Sequence, residues 1–324
     1  MQHGQKINVY EGSWYGMPSK GTKQQKQFSR RTALKAAGAI VGTSALSTTA
    51  AAQDSRNKEA NSDQGEDYSP RITAHRGYRD LFPQNTLAAM EGSSQIGADR
   101  IEIDIMPCRE GEIVVFHDNS LDSLTDKEGI VGDTSCETVL DAEVLETGET
   151  VPTLTEVLDT VEPSITMNIE FKSSFNYSWE YVAKRTLDIA SGYSGDFYVS
   201  SFSRDALEAV RKIDPDVDVA KLFGNNKKRN LEFARKIDAE ALNPSLGVLD
   251  RDLVETAHEE GREVNVYTVD DWREARQPIE LDVDSLIADT PTVLEYFSLM
   301  ADNDGEHDDD ERDDDDEHDD EHED

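Results

Sequence analysis

Residues 72–106 read ITAHRGYRDLFPQNTLAAMEGSSQIGADRIEIDIM and set the architecture of the chain. Two short runs with β-branched residues, Ile72–His75 and Arg100–Met106, flank a segment of helical periodicity at Thr86–Ile96. A helix between two strands is the usual crossover of a parallel sheet. The order therefore predicts a strand, a helix and a second strand that runs parallel to the first.

The same alternation continues through the middle of the chain. Further strands are predicted at Ile165–Phe171, Phe197–Ser200, Val217–Phe223, Ala239–Asn243, Glu263–Val269 and Ser285–Ala288. Further helices are predicted at Leu154–Val161, Trp179–Ala190, Arg204–Ile213, Lys228–Ile237, Arg251–Glu260, Asp270–Glu280 and Thr292–Met300. This pattern fits an α/β fold, a TIM (β/α)8 barrel. A doubly wound open sheet shows the same alternation, so the motifs have to separate the two folds.

A long connection, Pro107 to Pro152, is inserted after the second strand. It contains an apolar, hairpin-like run that ends at His117. Long βα loops rise from the catalytic face of a barrel, so we expect this insertion to form one wall of a site. The insertion also holds both cysteines of the chain, Cys108 and Cys136. They could pair in an oxidising compartment, but we expect two unpaired thiols in the core.

The carboxyl-terminal end differs in composition from the middle. Residues 301–324 are almost entirely Asp, Glu and His, which predicts a disordered acidic tail with solvated histidines. Over all 324 residues, 32 Lys and Arg against 69 Asp and Glu give a net charge of -37. Such a charge argues against nucleic acid as a partner. It indicates a halophilic source with an acidic surface; an acidic mesophilic protein is the alternative.

The amino-terminal residues 1–52 resemble an export signal. Arg30 and Arg31 precede a weakly apolar run and a small-residue cleavage site near Ala52, as in twin-arginine signals. We therefore expect an exported protein that uses the twin-arginine export machinery; a cytosolic basic leader is the alternative. The apolar run is too short for a stable membrane span. Residues 53–69 predict a disordered linker, which leaves one domain at residues 70–300.

Histidine and arginine stand together where the first strand ends. The strand leads into His75-Arg76-Gly77, and the following helix opens with Pro83-Gln84-Asn85-Thr86. Imidazole suits proton transfer near neutral pH, and the guanidinium fork suits phosphate oxygens. His117 brings a second imidazole to the same face, so that one histidine can take a proton while the other gives one. A histidine that merely caps the strand is the alternative.

Acidic residues alternate with apolar ones along the second and third strands. Period-two alternation sends Glu102 and Asp104 to one face, and Glu170 and Lys172 share a face where the next strand ends. Neighbouring buried carboxylates repel each other unless a positive group lies between them, and Mg2+ or Ca2+ prefers carboxylate oxygens. The acids therefore predict one divalent cation, with Lys172 left for a phosphate oxygen. Ion pairs with Arg or Lys of neighbouring strands are the alternative.

Together these motifs resemble the glycerophosphodiester phosphodiesterase family. His-Arg-Gly, Pro-x-Asn-Thr, Glu-x-Asp, His-Asp and Glu-x-Lys occur in family order, and the resemblance covers about residues 72–299. It implies a TIM barrel and a metal-dependent hydrolase that splits glycerophosphodiesters into glycerol phosphate and an alcohol. The roles it implies are a catalytic pair, His75 and His117, phosphate binding by Arg76 and Lys172, and one divalent cation on Glu102, Asp104 and Glu170.

The chain departs from the family pattern at a few positions. Gln84 stands where the family usually has Glu, Asp270 where it usually has Asn, and the segment Thr125–Gly129 matches more loosely. We expect retuned hydrogen bonding from the first two. Two other functions stay open. A phospholipase D-type lipid phosphodiesterase on the same fold would favour an apolar docking loop, whereas residues 121–149 are acidic. A non-catalytic exported binding protein is the other.

Overall fold

The structure, a computed structural model, describes residues 69–298. Its strands are β1 (Arg71–Ala74), β2 (Arg100–Pro107), β3 (Ile113–Val115), β4 (Thr166–Phe171), β5 (Phe197–Ser201), β6 (Val219–Phe223), β7 (Ala241–Pro244), β8 (Glu263–Val269) and β9 (Ser285–Ala288). Its helices are α1 (Leu87–Ile96), α2 (Cys136–Leu140), α3 (Leu154–Thr160), α4 (Trp179–Ala190), α5 (Arg204–Ile213), α6 (Lys227–Lys236), α7 (Arg251–Glu259) and α8 (Trp272–Glu280). Within residues 69–298, each helix is too short or too polar to cross a bilayer.

Eight parallel strands close into a barrel. Their order is β1-β9-β8-β7-β6-β5-β4-β2, and β1 pairs with both β9 and β2. The strand β3 pairs in antiparallel orientation with the carboxyl-terminal end of β2. This closure confirms the predicted TIM (β/α)8 barrel with an insertion after the second strand, and it rules out the open sheet. Every barrel strand lies within two residues of its predicted bounds.

The helices lie within two residues of their predicted bounds, except for one helix that was not predicted and one that extends beyond the described residues. Thr86 is the N-cap of α1 rather than its first residue, because its side chain accepts a hydrogen bond from the backbone N–H of Ala89. The short helix α2 was not predicted. The last predicted helix, Thr292–Met300, extends beyond the described residues, of which 295–298 are helical. The predicted signal (1–52), tail (301–324) and linker (53–69, apart from Ser69) lie outside them as well.

Alternation along β2 separates the core from the barrel interior. The isoleucines at 101, 103 and 105 are fully buried in the main apolar core. Glu102 and Asp104 take the opposite face, where Glu102 pairs in register with Asn168 and Asp104 with Glu170 on β4. The polar face of β2 thus lies inside the barrel, and its carboxylates reach the carboxyl ends of the strands, where barrel active sites form.

The insertion forms a small second core of its own. Its buried apolar side chains include Val114, Phe116, Leu121, Val131 and Val139. The segment between β4 and α4 holds this unit in place. The ring of Phe175 packs directly against Gly132, and the hydroxyl of Tyr177 donates to the carbonyl of Arg109 at 2.9 Å. The insertion is therefore packed against the barrel and does not stand free as a long loop.

A disulfide joins Cys108 to Cys136, so the expectation of two unpaired thiols is wrong. The β2–β3 hairpin, closed by a hydrogen bond from the N–H of Cys108 to the carbonyl of Glu112, places Cys108 beside the first residue of α2. The two Cα atoms lie 5.3 Å apart, a separation that suits a disulfide. The sequence separation of 28 does not reveal this proximity, because it depends on how the insertion folds back on itself.

Candidate active site

Three acidic side chains meet at the carboxyl ends of β2 and β4. One oxygen from each of Glu102, Asp104 and Glu170 lies within 4.8 Å of the other two, and all three residues are buried. Glu102 and Asp104 come from alternate positions of one strand, and Glu170 comes from the neighbouring strand in register with Asp104. The structure therefore brings together the three residues that the sequence predicted as metal ligands.

Crowding shifts the pKa values of these acids in different directions. Burial, together with the negative charges of Asp104 and Glu170, raises the pKa of Glu102 well above its usual range. Burial and the charge of Asp104 raise the pKa of Glu170 to about 7. Burial acts in the same direction on Asp104, but Lys172 and Arg76 outweigh it and lower its pKa. The cluster thus has a deficit of positive charge at neutral pH.

Three buried oxygens of the cluster fit a hard divalent cation. Glu102 Oε1 makes no hydrogen bond to any described residue, and Asp104 Oδ1 and Glu170 Oε1 both contact the ammonium group of Lys172. Buried carboxylate oxygens nearly always have a partner. Lys172 Nζ lies 2.9 Å from Glu170 Oε1 and 3.4 Å from Asp104 Oδ1, which compensates only part of the charge. An all-oxygen donor set of this kind suits Mg2+ or Ca2+.

His75 lies directly after β1 and is buried. Its Nδ1 is 2.5 Å from Asp289 Oδ1, and its Nε2 is 3.9 Å from Glu102 Oε2. Burial lowers the pKa of His75, with the positive charge of Arg76 adding to the effect, while the hydrogen bond with Asp289 acts against it. The imidazole is therefore expected to be neutral at pH 7, with one nitrogen engaged and the other near the acidic cluster.

His117 reaches the same cavity from the insertion. It follows β3 by two residues, and its Nδ1 lies 2.6 Å from Asp118 Oδ1. Burial lowers the pKa of His117, and Lys172 and Arg76 lower it further, while Asp104 opposes them. Like His75, it has a carboxylate at Nδ1 and is expected to be neutral at pH 7.

Arg76 is held by its backbone as well as by its side chain. Its φ is 52°, a left-handed conformation that costs about 1–2 kcal/mol in a residue other than glycine. This conformation accompanies a hydrogen bond from its N–H to Glu102 Oε2 at 2.9 Å. Its guanidinium lies 3.3 Å from Asp104 Oδ2 and donates to Gln84 Oε1 at 2.7 Å. Because Gln84 stands where the family usually has Glu, Arg76 donates to a neutral amide oxygen instead of a carboxylate.

Charged, polar and apolar side chains line one cavity of about 210 Å3. The charged and polar lining comprises His75, Arg76, Arg79, Glu102, His117, Asn168, Glu170, Lys172 and Thr268. The apolar lining includes Leu222, Ile287 and an edge-to-face pair of Phe202 and Tyr267, whose ring centroids are 5.8 Å apart. Six of the seven predicted site residues line this cavity, and the seventh, Asp104, lies buried beside it.

Several residues that complete the site received no role in the sequence analysis. Asn85 Nδ2 donates to Asp104 Oδ2 at 2.9 Å, and Asn85 Oδ1 accepts from the N–H of Asp104 at 3.3 Å. The Pro-x-Asn-Thr motif was the available signal for Asn85. Asp289 binds both His75 and Arg79. Its signal was weaker: a polar residue directly after a barrel strand, where sites form.

A closed (β/α)8 barrel with this cavity places the protein among the barrel phosphodiesterases. Residues 75–293 match the Glycerophosphoryl diester phosphodiesterase family, and the chain belongs to that family. The match confirms the resemblance drawn from the motifs.

Individual relatives agree with the family assignment. A glycerophosphodiester phosphodiesterase of Caldanaerobacter subterraneus subsp. tengcongensis is 30% identical over 69% of this chain and 95% of its own length. One of Bacillus altitudinis is 28% identical over 68% of this chain and 95% of its own. Among solved structures, an Oleispira antarctica phosphodiesterase in complex with the product sn-glycerol-3-phosphate has a TM-score of 0.66 at 23% identity, covering 72% of this chain and 97% of that one. At this identity the last similarity concerns the fold alone.

Proposed function

We propose that the chain hydrolyses glycerophosphodiesters to glycerol phosphate and an alcohol. The observation that carries the proposal is the arrangement of His75, His117, Arg76 and Lys172 around one cavity, beside a buried cluster of three acids. The relatives that carry this activity in their names cover most of the chain. Catalysis is assigned to the two histidines, and metal dependence to the acidic cluster.

Glu102, Asp104 and Glu170 would hold one divalent cation, Mg2+ or Ca2+. When bound, such a cation supplies Lewis-acid charge to a phosphate oxygen and makes an oxygen nucleophile more acidic. Arg76 and Lys172 would bind the other phosphate oxygens, because both are charged donors at the cavity wall. Both also contact Asp104, so a bound phosphate would share them with that carboxylate.

The two histidines would transfer protons through Nε2, since Nδ1 of each is engaged by a carboxylate. One imidazole takes the proton of the attacking hydroxyl while its oxygen bonds to phosphorus. The other must first carry a proton on both ring nitrogens, and it then gives its Nε2 proton to the alcohol oxygen as the P–O bond breaks. If the neighbouring glycerol hydroxyl attacks first, the product is a cyclic phosphate, which water then opens with the roles of the histidines reversed.

The test is release of glycerol phosphate from several glycerophosphodiesters, with and without a chelator. The purified protein should be active, lose activity on chelation and regain it with a divalent cation. His75→Ala and His117→Ala should each reduce kcat by about 10²–10⁴-fold, the usual contribution of general acid–base catalysis. The matched control is His258→Ala, because His258 pairs with Asp284 at the opposite end of β9. Full activity in either site variant would end the assignment of the two histidines. If the wild-type protein hydrolysed none of the substrates, the result would favour a non-catalytic binding protein.

We also propose that residues 1–52 form a twin-arginine signal and that the mature protein is exported with an acidic, halophilic surface. The paired arginines support the first statement, and the net charge of -37 supports the second. The disulfide agrees with an oxidising compartment. Replacing both Arg30 and Arg31 with Lys should leave the precursor uncleaved inside the cell. Normal processing of this variant would contradict the proposed route.

A further inference from the structure

Asp289 is a buried carboxylate that the proposed reaction does not use. It follows β9 directly, its side chain is fully buried, and each of its oxygens has a different partner. Oδ1 lies 2.5 Å from Nδ1 of His75, and Oδ2 accepts a hydrogen bond from Nε of Arg79 at 2.6 Å and also contacts Nη2 of that residue. The carboxylate therefore links the imidazole of His75 to the guanidinium of Arg79.

The partner at Nδ1 determines which nitrogen of His75 carries the proton in the neutral ring. An ionised carboxylate only accepts hydrogen bonds, so it requires Nδ1–H and leaves the lone pair on Nε2. Nε2 is the nitrogen on the side of the acidic cluster, 3.9 Å from Glu102 Oε2. The same bond fixes the plane of the ring, because it holds one edge of the imidazole to the end of β9.

The surroundings of Asp289 keep it ionised. Burial would raise its pKa, but the hydrogen bonds with His75 and Asp270 and the charge of Arg79 act against burial, and the pKa is lowered. Asp270, whose pKa is raised to about 6 by burial and by Asp289, can donate a hydrogen bond to this carboxylate when it is protonated. Arg79 supplies the full positive charge that stabilises the ionised form.

We infer that Asp289 is a positioning residue for His75, which orients the ring and selects the tautomer with Nε2 free to exchange a proton with the substrate. The inference rests on the proposed function, because it concerns the same reaction. Arg79 determines which way an amide at position 289 would point. Its donors occupy the Oδ2 side of the carboxylate, so an amide in place of Asp289 would turn its oxygen to Arg79 and its NH2 to His75. That NH2 would donate to Nδ1 and move the ring proton to Nε2.

The experiment compares Asp289→Asn with a matched variant, Asp284→Asn, in the full chain loaded with Mg2+. Asp284 lies just before β9, and its Oδ2 is 2.8 Å from Nε2 of His258. The Asp284→Asn variant therefore disrupts a comparable aspartate–histidine pair, but away from the cavity. Asp289→Asn should lower kcat at least about 100-fold, as expected for loss of an aspartate that orients a catalytic imidazole. KM should change less than about threefold, because Asp289 does not line the phosphate-binding cavity. Asp284→Asn should keep the wild-type kcat even if it lowers the melting temperature.

A spectroscopic measurement separates positioning from a purely structural role. In protein labelled with 15N-histidine at pH 8, the wild-type His75 ring should carry its proton on Nδ1, and the Asp289→Asn ring should carry it on Nε2. A wild-type proton on Nε2 would overturn the inference even if the variant failed to fold, and so would wild-type kcat in folded Asp289→Asn. If His75→Ala also kept full activity, the proposed function of His75 would fail instead, so the two failures can be told apart.

Discussion

Removing the Cys108–Cys136 disulfide should destabilise the protein markedly. The bond closes a loop over a sequence separation of 28. In the chain-entropy description, opening such a loop in the unfolded state costs about 3.5 kcal/mol of stability at 25 °C. For a domain of this size, each kcal/mol shifts Tm by about 2–4 °C, so Tm should fall by about 7–14 °C. The loop contains His117, so the position of this proposed catalytic residue depends on the same disulfide.

The assay is thermal unfolding of the wild type and of the Cys108→Ser/Cys136→Ser double variant, each with and without a reductant. The reductant should bring the wild type down to the Tm of the variant and leave the variant unchanged, which separates the cross-link from the effect of the new serine side chains. Catalytic activity should disappear over the same temperature range, because His117 lies inside the loop. Equal Tm values for oxidised and reduced wild type, or two free thiols in unfolded, unreduced protein, would refute the reasoning.

Three further predictions concern packing, pH and the cation. Gly132→Ala should cost about 1–3 kcal/mol in urea unfolding, because the new methyl group overlaps the ring of Phe175; an unchanged midpoint contradicts this contact. Burial and the charge of Glu240 raise the pKa of Asp218 to about 7 in the folded protein. Asp218 therefore loses its proton at a lower pH in the unfolded chain than in the folded protein, and the free energy of unfolding falls as pH rises from about 4 to about 7. Asp218→Asn should therefore raise Tm more at pH 8 than at pH 4.5, and equal gains would argue against the shift. Calorimetry should find weaker cation binding below pH 7, because burial raises the pKa of Glu170 to about 7 and protons compete for its oxygens; a pH-independent affinity would exclude it as a ligand.

The barrel and much of its site follow from local patterns. The strand and helix order needed only short-range periodicity, and the alternation in β2 put Glu102 and Asp104 on one face before any tertiary contact was known. The carboxyl ends of parallel barrel strands share one rim, so the histidine after β1 and the glutamate of β4 were expected near that face. The family motifs then joined these positions to a reaction.

Contacts between distant segments depend on how the barrel closes. The bond between His75 and Asp289 spans 214 positions and exists because β1 pairs with β9. The disulfide depends in the same way on the fold of the insertion, which places Cys108 beside α2. Periodicity reports which face of an element a side chain takes, because it reflects the geometry of that element alone. The neighbour across that face, and with it the tautomer and pKa of His75, depends on three-dimensional packing.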